Sequence, residues 1–109
     1  MKIVNAEHIA LDIPFYADHV VRAMHRANTH SERVQVYRLE TDNGLVGWGD
    51  CVGAASSVEK LVGKDPYRIM RDDGLGMGPQ VAVLDLVGQD AGVPIHCLIG
   101  TKVRDRCPL

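Results

Sequence analysis

Histidines are the residues of this 109-residue chain with the most obvious chemistry to offer: His19, His25 and His30 fall in one polar stretch after Phe15 and Tyr16. Imidazoles ligate metals or move protons near neutral pH, but both roles need partners within a defined reach. The spacings of six and five residues match no ligand pattern, and no carboxylate or thiol stands three or four residues after any of the three. They read as solvated histidines of a loop, with contact to a ligand as the other role open to them. Phe15 and Tyr16 either anchor that loop in the core or line a pocket. Gly74-x-Gly76-x-Gly78 has the glycine density of a phosphate loop. It lacks a Gly-Lys-Ser/Thr opening the next helix, and Pro79 has no N–H to give a phosphate, so it reads as a flexible linker. Cys51, Cys97 and Cys107 show no C-x-x-C spacing, and Cys51 has no flanking base to hold a thiolate. Three reduced thiols of a cytoplasmic protein are the expectation.

The elements that must position these side chains are delimited by local pattern. Lys2 to Leu11 is β-branched and alternating, closed by Asp12 and Pro14, and predicts a strand. Phe15 to Ser31 has no clean apolar period; Val20, Val21 and Met24 allow one helical turn, and a long polar loop fits as well. Arg33 to Thr41 predicts a second strand, and Asn43-Gly44 supplies the positive φ angles of a tight hairpin leading to a third over Leu45 to Cys51. In that third strand Val46, Trp48 and Asp50 share one face. Gly47 and Gly49 occupy the other, so another backbone can come close there. Ser56-x-x-Glu59 has the spacing of a capping box, and Asp65-Pro66 that of an N-cap and first helical position. Pro79 is expected to open a helix that runs to about Ala91 and stops at Gly92. Lys60, Lys64, Arg68 and Arg71 spread around the short helical segments as a solvated face. Strands first and helices after give an α+β fold, a three-stranded antiparallel meander followed by a short helical segment.

Composition narrows the function classes. The 12 Lys and Arg against 14 Asp and Glu give a net charge of −2, with no electrostatic footprint for nucleic acid. No apolar run approaches a bilayer span, and Met1 to Glu7 lacks the apolar core of a secretory leader, so no membrane association is expected. The Val81–Val87 stretch is apolar almost all round, with Asp85 its only charge, and such a helix needs cover on more than one side. Self-association or marginal stability of the isolated chain is the expectation.

Three stretches in order carry a resemblance. These are Ile3 to Pro14, ending Leu-Asp-Ile-Pro; Val36 to Asp50, with its Thr-Asp-Asn-Gly-Leu-Val-Gly-Trp-Gly-Asp hairpin; and Val81 to Gly100, with Leu-Asp-Leu-x-Gly-x-x-x-Gly-Val-Pro-x-x-x-Leu-x-Gly. Together they resemble the N-terminal capping domain of the mandelate racemase/muconate lactonizing enzyme group of the enolase superfamily. Asp50 stands where that family more often has Glu, and the Cys51 to Lys64 segment is shorter than usual.

The resemblance implies a capping domain over residues 1–100 and a linker over 101–109, leading toward a (β/α)₈ barrel that is absent from this chain. Family members abstract a proton α to a carboxylate and hold the enediolate on Mg²⁺, using residues of that barrel. No catalytic or metal residue therefore carries over, no cofactor is expected in this chain, and the isolated chain is expected to be inactive. What carries over is a lid that chooses the substrate. By position its loops are Phe15 to Ser31 and Asp50 to Ala55, with Phe15, Tyr16, His19, His25, Asp50 and Cys51 as candidate substrate-binding side chains. The implied partners are the barrel domain of the same enzyme, a small carboxylate substrate and further copies in a homo-oligomer. Racemase, dehydratase and cycloisomerase chemistry all fit, and a stand-alone, non-catalytic association module of the same fold is the alternative. The resemblance also makes Asp85 a structural residue that packs or hydrogen-bonds across an interface.

Overall fold

In the computed structural model, which describes residues 1–27 and 32–108, β1 (Ile3–Asp12), β2 (Arg33–Thr41) and β3 (Val46–Val52) form one antiparallel sheet in the order β1-β2-β3. Both pairings follow the expected meander. His8 faces Tyr37, which faces Gly49; Leu11 faces Val34, which faces Val52. The β2–β3 connection is a three-residue turn: the Thr41 N–H donates to the Leu45 carbonyl at 3.0 Å, and Gly44 takes φ 84°. A glycine in the left-handed region is what a turn of this length requires. Between β1 and β2 the polar stretch expected as a loop contains a helix, α1 (Asp18–Ala27). Its Val20, Val21 and Met24 are half-buried, and its charged residues face solvent.

After β3 come a 3₁₀ turn (Glu59–Leu61), α2 (Pro66–Ile69), a second 3₁₀ turn (Asp73–Leu75), α3 (Met77–Ala91) and α4 (Ile95–Ile99). Asp65 caps α2 as expected, accepting from the Tyr67 N–H at 3.0 Å. The capping box at Ser56 does not form. The Ser56 N–H is already engaged by Tyr37, and it is the Ser57 hydroxyl that donates to Glu59. The glycine-rich stretch is not a free linker either: Asp73–Leu75 is a helical turn and Gly78 lies inside α3. α3 begins two residues before Pro79 and ends at Gly92, whose φ is 66°.

α3 lies across β2 and β3 with α2 and α4 beside it. Its close approach depends on absent side chains. A Cβ at Gly47 would overlap the Ala82 carbonyl oxygen and the Leu86 side chain; one at Gly49 would overlap the Gly78 carbonyl oxygen and the Ala82 nitrogen. Gly78 in turn gives way to the Tyr37 ring. The core that results is Ile3, Tyr37, Leu39, Val58, Leu61, Ala82, Val83 and Leu86, with Val87 buried beside it. The cover that the Val81–Val87 stretch needs comes largely from within the chain: Ala82, Val83, Leu86 and Val87 are buried and Val81 and Leu84 half-buried. The outer edge of β3 is sealed by the same helix: Asp85 accepts from the Trp48 N–H at 2.9 Å, and Gln89 donates to the Val46 carbonyl at 2.8 Å. Asp85 therefore has the structural role expected of it. Exposed apolar residues lie on the opposite sheet face, where Ile9, Leu11, Trp48 and Val52 stand with no described helix across them.

Candidate functional site

Pairing register decides where the two lid segments sit. Asp12 ends β1 opposite Arg33, which begins β2, and Val34 in the next row faces Val52, which ends β3. The segment after β1 and the segment after β3 therefore leave the sheet at the same end. The first exit is held by the Ile13 N–H donating to the Glu32 carbonyl at 2.7 Å, and by the Arg33 guanidinium on both carboxylate oxygens of Asp12, at 3.0 and 3.3 Å. That two-pronged pairing holds the Asp12 carboxyl below its usual value and raises the Arg33 guanidinium. Both groups are solvent-exposed, so the pair fixes geometry more than it adds stability.

Around this end stands a rim of exposed apolar side chains: Leu11, Ile13, Val52 and Tyr16, the last 93% exposed. Phe15 is half-buried, while His19 and His25 are exposed on α1. Six residues along a helix amount to about 600°, so these two imidazoles point roughly 120° apart and do not converge. His30 lies outside the described residues. Asp50 and Cys51 belong to β3 itself and not to the loop after it. Alternation sends them to opposite faces: Asp50 to the open face opposite Val36, and Cys51 toward Tyr37 and Gly78, with Sγ 4.0 Å from the Tyr37 hydroxyl. The six candidates thus split into Phe15, Tyr16, His19 and His25 along one segment, Asp50 on the open sheet face, and Cys51 against the core.

The loop that remains after β3, residues 53–56, is fastened from below by residues that sequence reasoning did not single out. The Gln35 side-chain amide donates to the Gly53 carbonyl at 3.0 Å and its oxygen lies 2.7 Å from His8 Nε2. The Tyr37 hydroxyl accepts from the Ser56 N–H at 2.8 Å, and the His8 ring stacks on the Tyr37 ring with centroids 5.2 Å apart. A glutamine in the buried phase of an alternating strand, two residues before a buried tyrosine, is the signal that could have found this set. Beside it, the Ser57 hydroxyl holds the Glu59 carboxyl below its usual range, with smaller help from backbone N–H groups and the His8 ring.

Among the described residues no three His, Cys, Asp or Glu side chains converge in a way that could hold a metal ion. The carboxylates near the sheet are dispersed or already engaged: Glu7 and Glu40 flank Arg38 at 3.7 and 3.1 Å, and Asp85 serves the β3 edge. The described residues offer no set of side chains that would hold Mg²⁺. The described helices include none long and apolar enough to cross a membrane.

No family model matches the chain. Among curated proteins it is similar to D-galactonate dehydratase of Verminephrobacter eiseniae, 37% identical over 95 aligned residues that cover 63% of this chain and 25% of the relative. The same enzyme of Variovorax paradoxus is 36% identical over the same span. Among solved structures, muconate lactonizing enzyme from Pseudomonas putida superposes with a TM-score of 0.68 at 19% identity, covering 96% of this chain and 34% of that one. The 2-chloromuconate cycloisomerase of Rhodococcus opacus gives 0.69 at 20% identity, over 99% of this chain and 35% of that one. The chain spans a quarter of the length of the curated relatives it matches and about a third of these enzymes of known structure. Its fold, a three-stranded antiparallel sheet followed by helices, is that of the matching part of these solved enzymes, as the sequence resemblance implied.

Proposed function

Taking the chain as an enolase-superfamily N-terminal domain, we propose that residues 1–100 are the substrate-selecting cap of a Mg²⁺-dependent dehydratase acting on a sugar acid, with 101–109 leading into a (β/α)₈ barrel. The observation that carries this reading is the register, which brings the segments after β1 and β3 out at one end of the sheet behind an apolar rim. Two segments leaving the same end of the sheet, one from each edge strand, can close over a barrel mouth, exclude water and contact the far end of a bound substrate. Dehydration is preferred over racemisation and lactonisation because the sequence relatives, at 36–37% identity, are named as dehydratases. The structural neighbours named as cycloisomerases agree at 19–20% and support the fold alone. Mg²⁺, held by the barrel, would stabilise negative charge on the substrate carboxylate as the α proton leaves. This chain's own residues would do the rest of the selection: Phe15 as a half-buried wall, Tyr16 and His19 as polar contacts to distal hydroxyls, and His25 one further turn and more along α1.

The test is kinetic, on the enzyme that joins this chain to its barrel. Tyr16→Ala and His19→Ala should lower kcat/KM for the preferred sugar acid by the worth of one polar contact, about 1–3 kcal/mol each, while poor substrates lose less. Equal kinetics of both variants toward every carboxylate turned over would overturn the reading. So would an encoding frame with no barrel in it.

A further inference from the structure

The loop over residues 53–56 carries two alanines and a glycine at its tip, and nothing in those side chains explains a defined conformation. Gly53, Ala54 and Ala55 are exposed. What lies underneath is different. Gln35 is 4% exposed and Tyr37 fully buried, yet each directs a polar group outward to the loop backbone, one at either end. The orientation of the Gln35 amide is fixed by its partners. Gly53 offers a carbonyl, which only accepts, so the amide nitrogen must face it and the amide oxygen must face His8. That leaves His8 Nε2 as the donor and sets its tautomer. The ring so held lies over the Tyr37 ring, whose hydroxyl takes the Ser56 N–H. His8, Gln35 and Tyr37 thus form one continuous support, with Gln35 two rows along from the pair His8–Tyr37 and on the same face. Among the described residues no buried side-chain nitrogen or oxygen lacks a partner, so the support is complete without any ligand.

We propose that His8, Gln35 and Tyr37 are positioning residues for the 53–56 loop: they set its conformation from beneath and so shape the mouth of the cap without touching a substrate. The proposal rests on the cap reading for its purpose but not for its test. Each link is a single hydrogen bond to a loop backbone group, so each can be cut by a nearly isosteric change. Tyr37→Phe removes the acceptor for Ser56 and, besides that, only the long contact from the Cys51 thiol. Gln35→Glu keeps an acceptor for His8 and removes the donor to Gly53, which separates the two halves of the glutamine's role.

The experiment is residue-resolved amide hydrogen exchange on the full chain. In Tyr37→Phe the Ser56 amide should exchange about 3- to 10-fold faster, the worth of one neutral hydrogen bond, with Leu39 and Trp48 amides unchanged. In Gln35→Glu the Ser56 amide should speed up in the same local way, because the loop loses its other anchor at Gly53, and Gln35→Leu should match it, since the bond that matters is lost in both. Unchanged loop exchange in folded variants overturns the proposal. A uniform rise across sheet and loop also overturns it, because the residues would then serve only global stability. Failure of the kinetic test above, with the local exchange pattern intact, would remove the cap reading and leave the positioning role standing.

Discussion

The two faces of the sheet solve different problems with similar residues. On the face that α3 crosses, β2 buries Gln35, Tyr37, Leu39 and Thr41, and β3 contributes glycines where side chains would collide with the helix. On the other, Val34, Val36, Ile9, Leu11, Trp48 and Val52 are just as apolar but stay half-buried or exposed, interleaved with Glu7, Arg38, Glu40 and Asp50. The covered face is specified by shape, so it tolerates no added volume. The open face is specified by alternation alone, with the Arg38 guanidinium 5.9 Å from the Trp48 ring and flanked by two glutamates. The lesson is that burial in this domain follows where backbone can approach, and that is decided by the glycines at 47, 49 and 78.

That contrast breaks most visibly at Gly49. Gly49→Ala should cost about 3 kcal/mol, because the new methyl meets backbone of α3 that cannot move aside without shifting the whole helix. Urea unfolding would measure it, and a loss below about 1 kcal/mol would mean that α3 can move away from β3 at little cost. Next in size is Asp85→Ala, which strips the acceptor from the Trp48 N–H at the sheet edge. It should cost about 1–2 kcal/mol, with faster exchange of the Trp48 amide as the local signature. By contrast Leu11→Lys, on the open face, should change stability by no more than about 0.5 kcal/mol. A larger loss would show that something covers that face in solution, and sedimentation of the same variant would reveal whether the cover is a second copy.

The smallest effect concerns Asp12 and Arg33. Pairing depresses the Asp12 carboxyl in the folded chain, so its contribution is present above the unfolded carboxylate value of about 3.9 and is lost as pH falls through the lower folded one. Asp12→Asn should flatten that acid-range slope slightly, more so at low salt, in stability measured between about pH 5 and pH 2. No difference between the two proteins would mark the pair as geometric only.

Much of the covered face was legible in advance because it rests on local chemistry. Gly47 and Gly49 alternating with Val46 and Trp48 announced a close neighbour, Asp65-Pro66 announced a helix start, and Gly92 its stop. The polar stretch was harder. α1 owes its amphipathic character to charges on its outer side more than to an apolar stripe, so Val20, Val21 and Met24 alone looked like a single turn. Ser56 misled for a different reason: its spacing to Glu59 fits a capping box, but Tyr37, nineteen residues earlier, had prior claim on its N–H. The support under the 53–56 loop combines three positions on two strands, and only the register joins them.

The way that loop is tied has a bearing on how the chain could change length. Its ends are fixed by backbone groups of Gly53 and Ser56, and the tip between them bonds to neither clamp. Inserting residues between Ala54 and Ala55 would leave both anchors and every strand pairing in place. The added closure entropy grows only with the logarithm of loop length, about 0.6 kcal/mol for a doubling. An insertion at the 42–44 turn has no such freedom, since one extra residue there shifts β3 against β2 and sends Gly47 and Gly49 to the wrong face. The two ends of the same sheet therefore differ in what they can absorb: one can be lengthened, shortened or reshaped as a separate part, and the other is locked to the core it aligns.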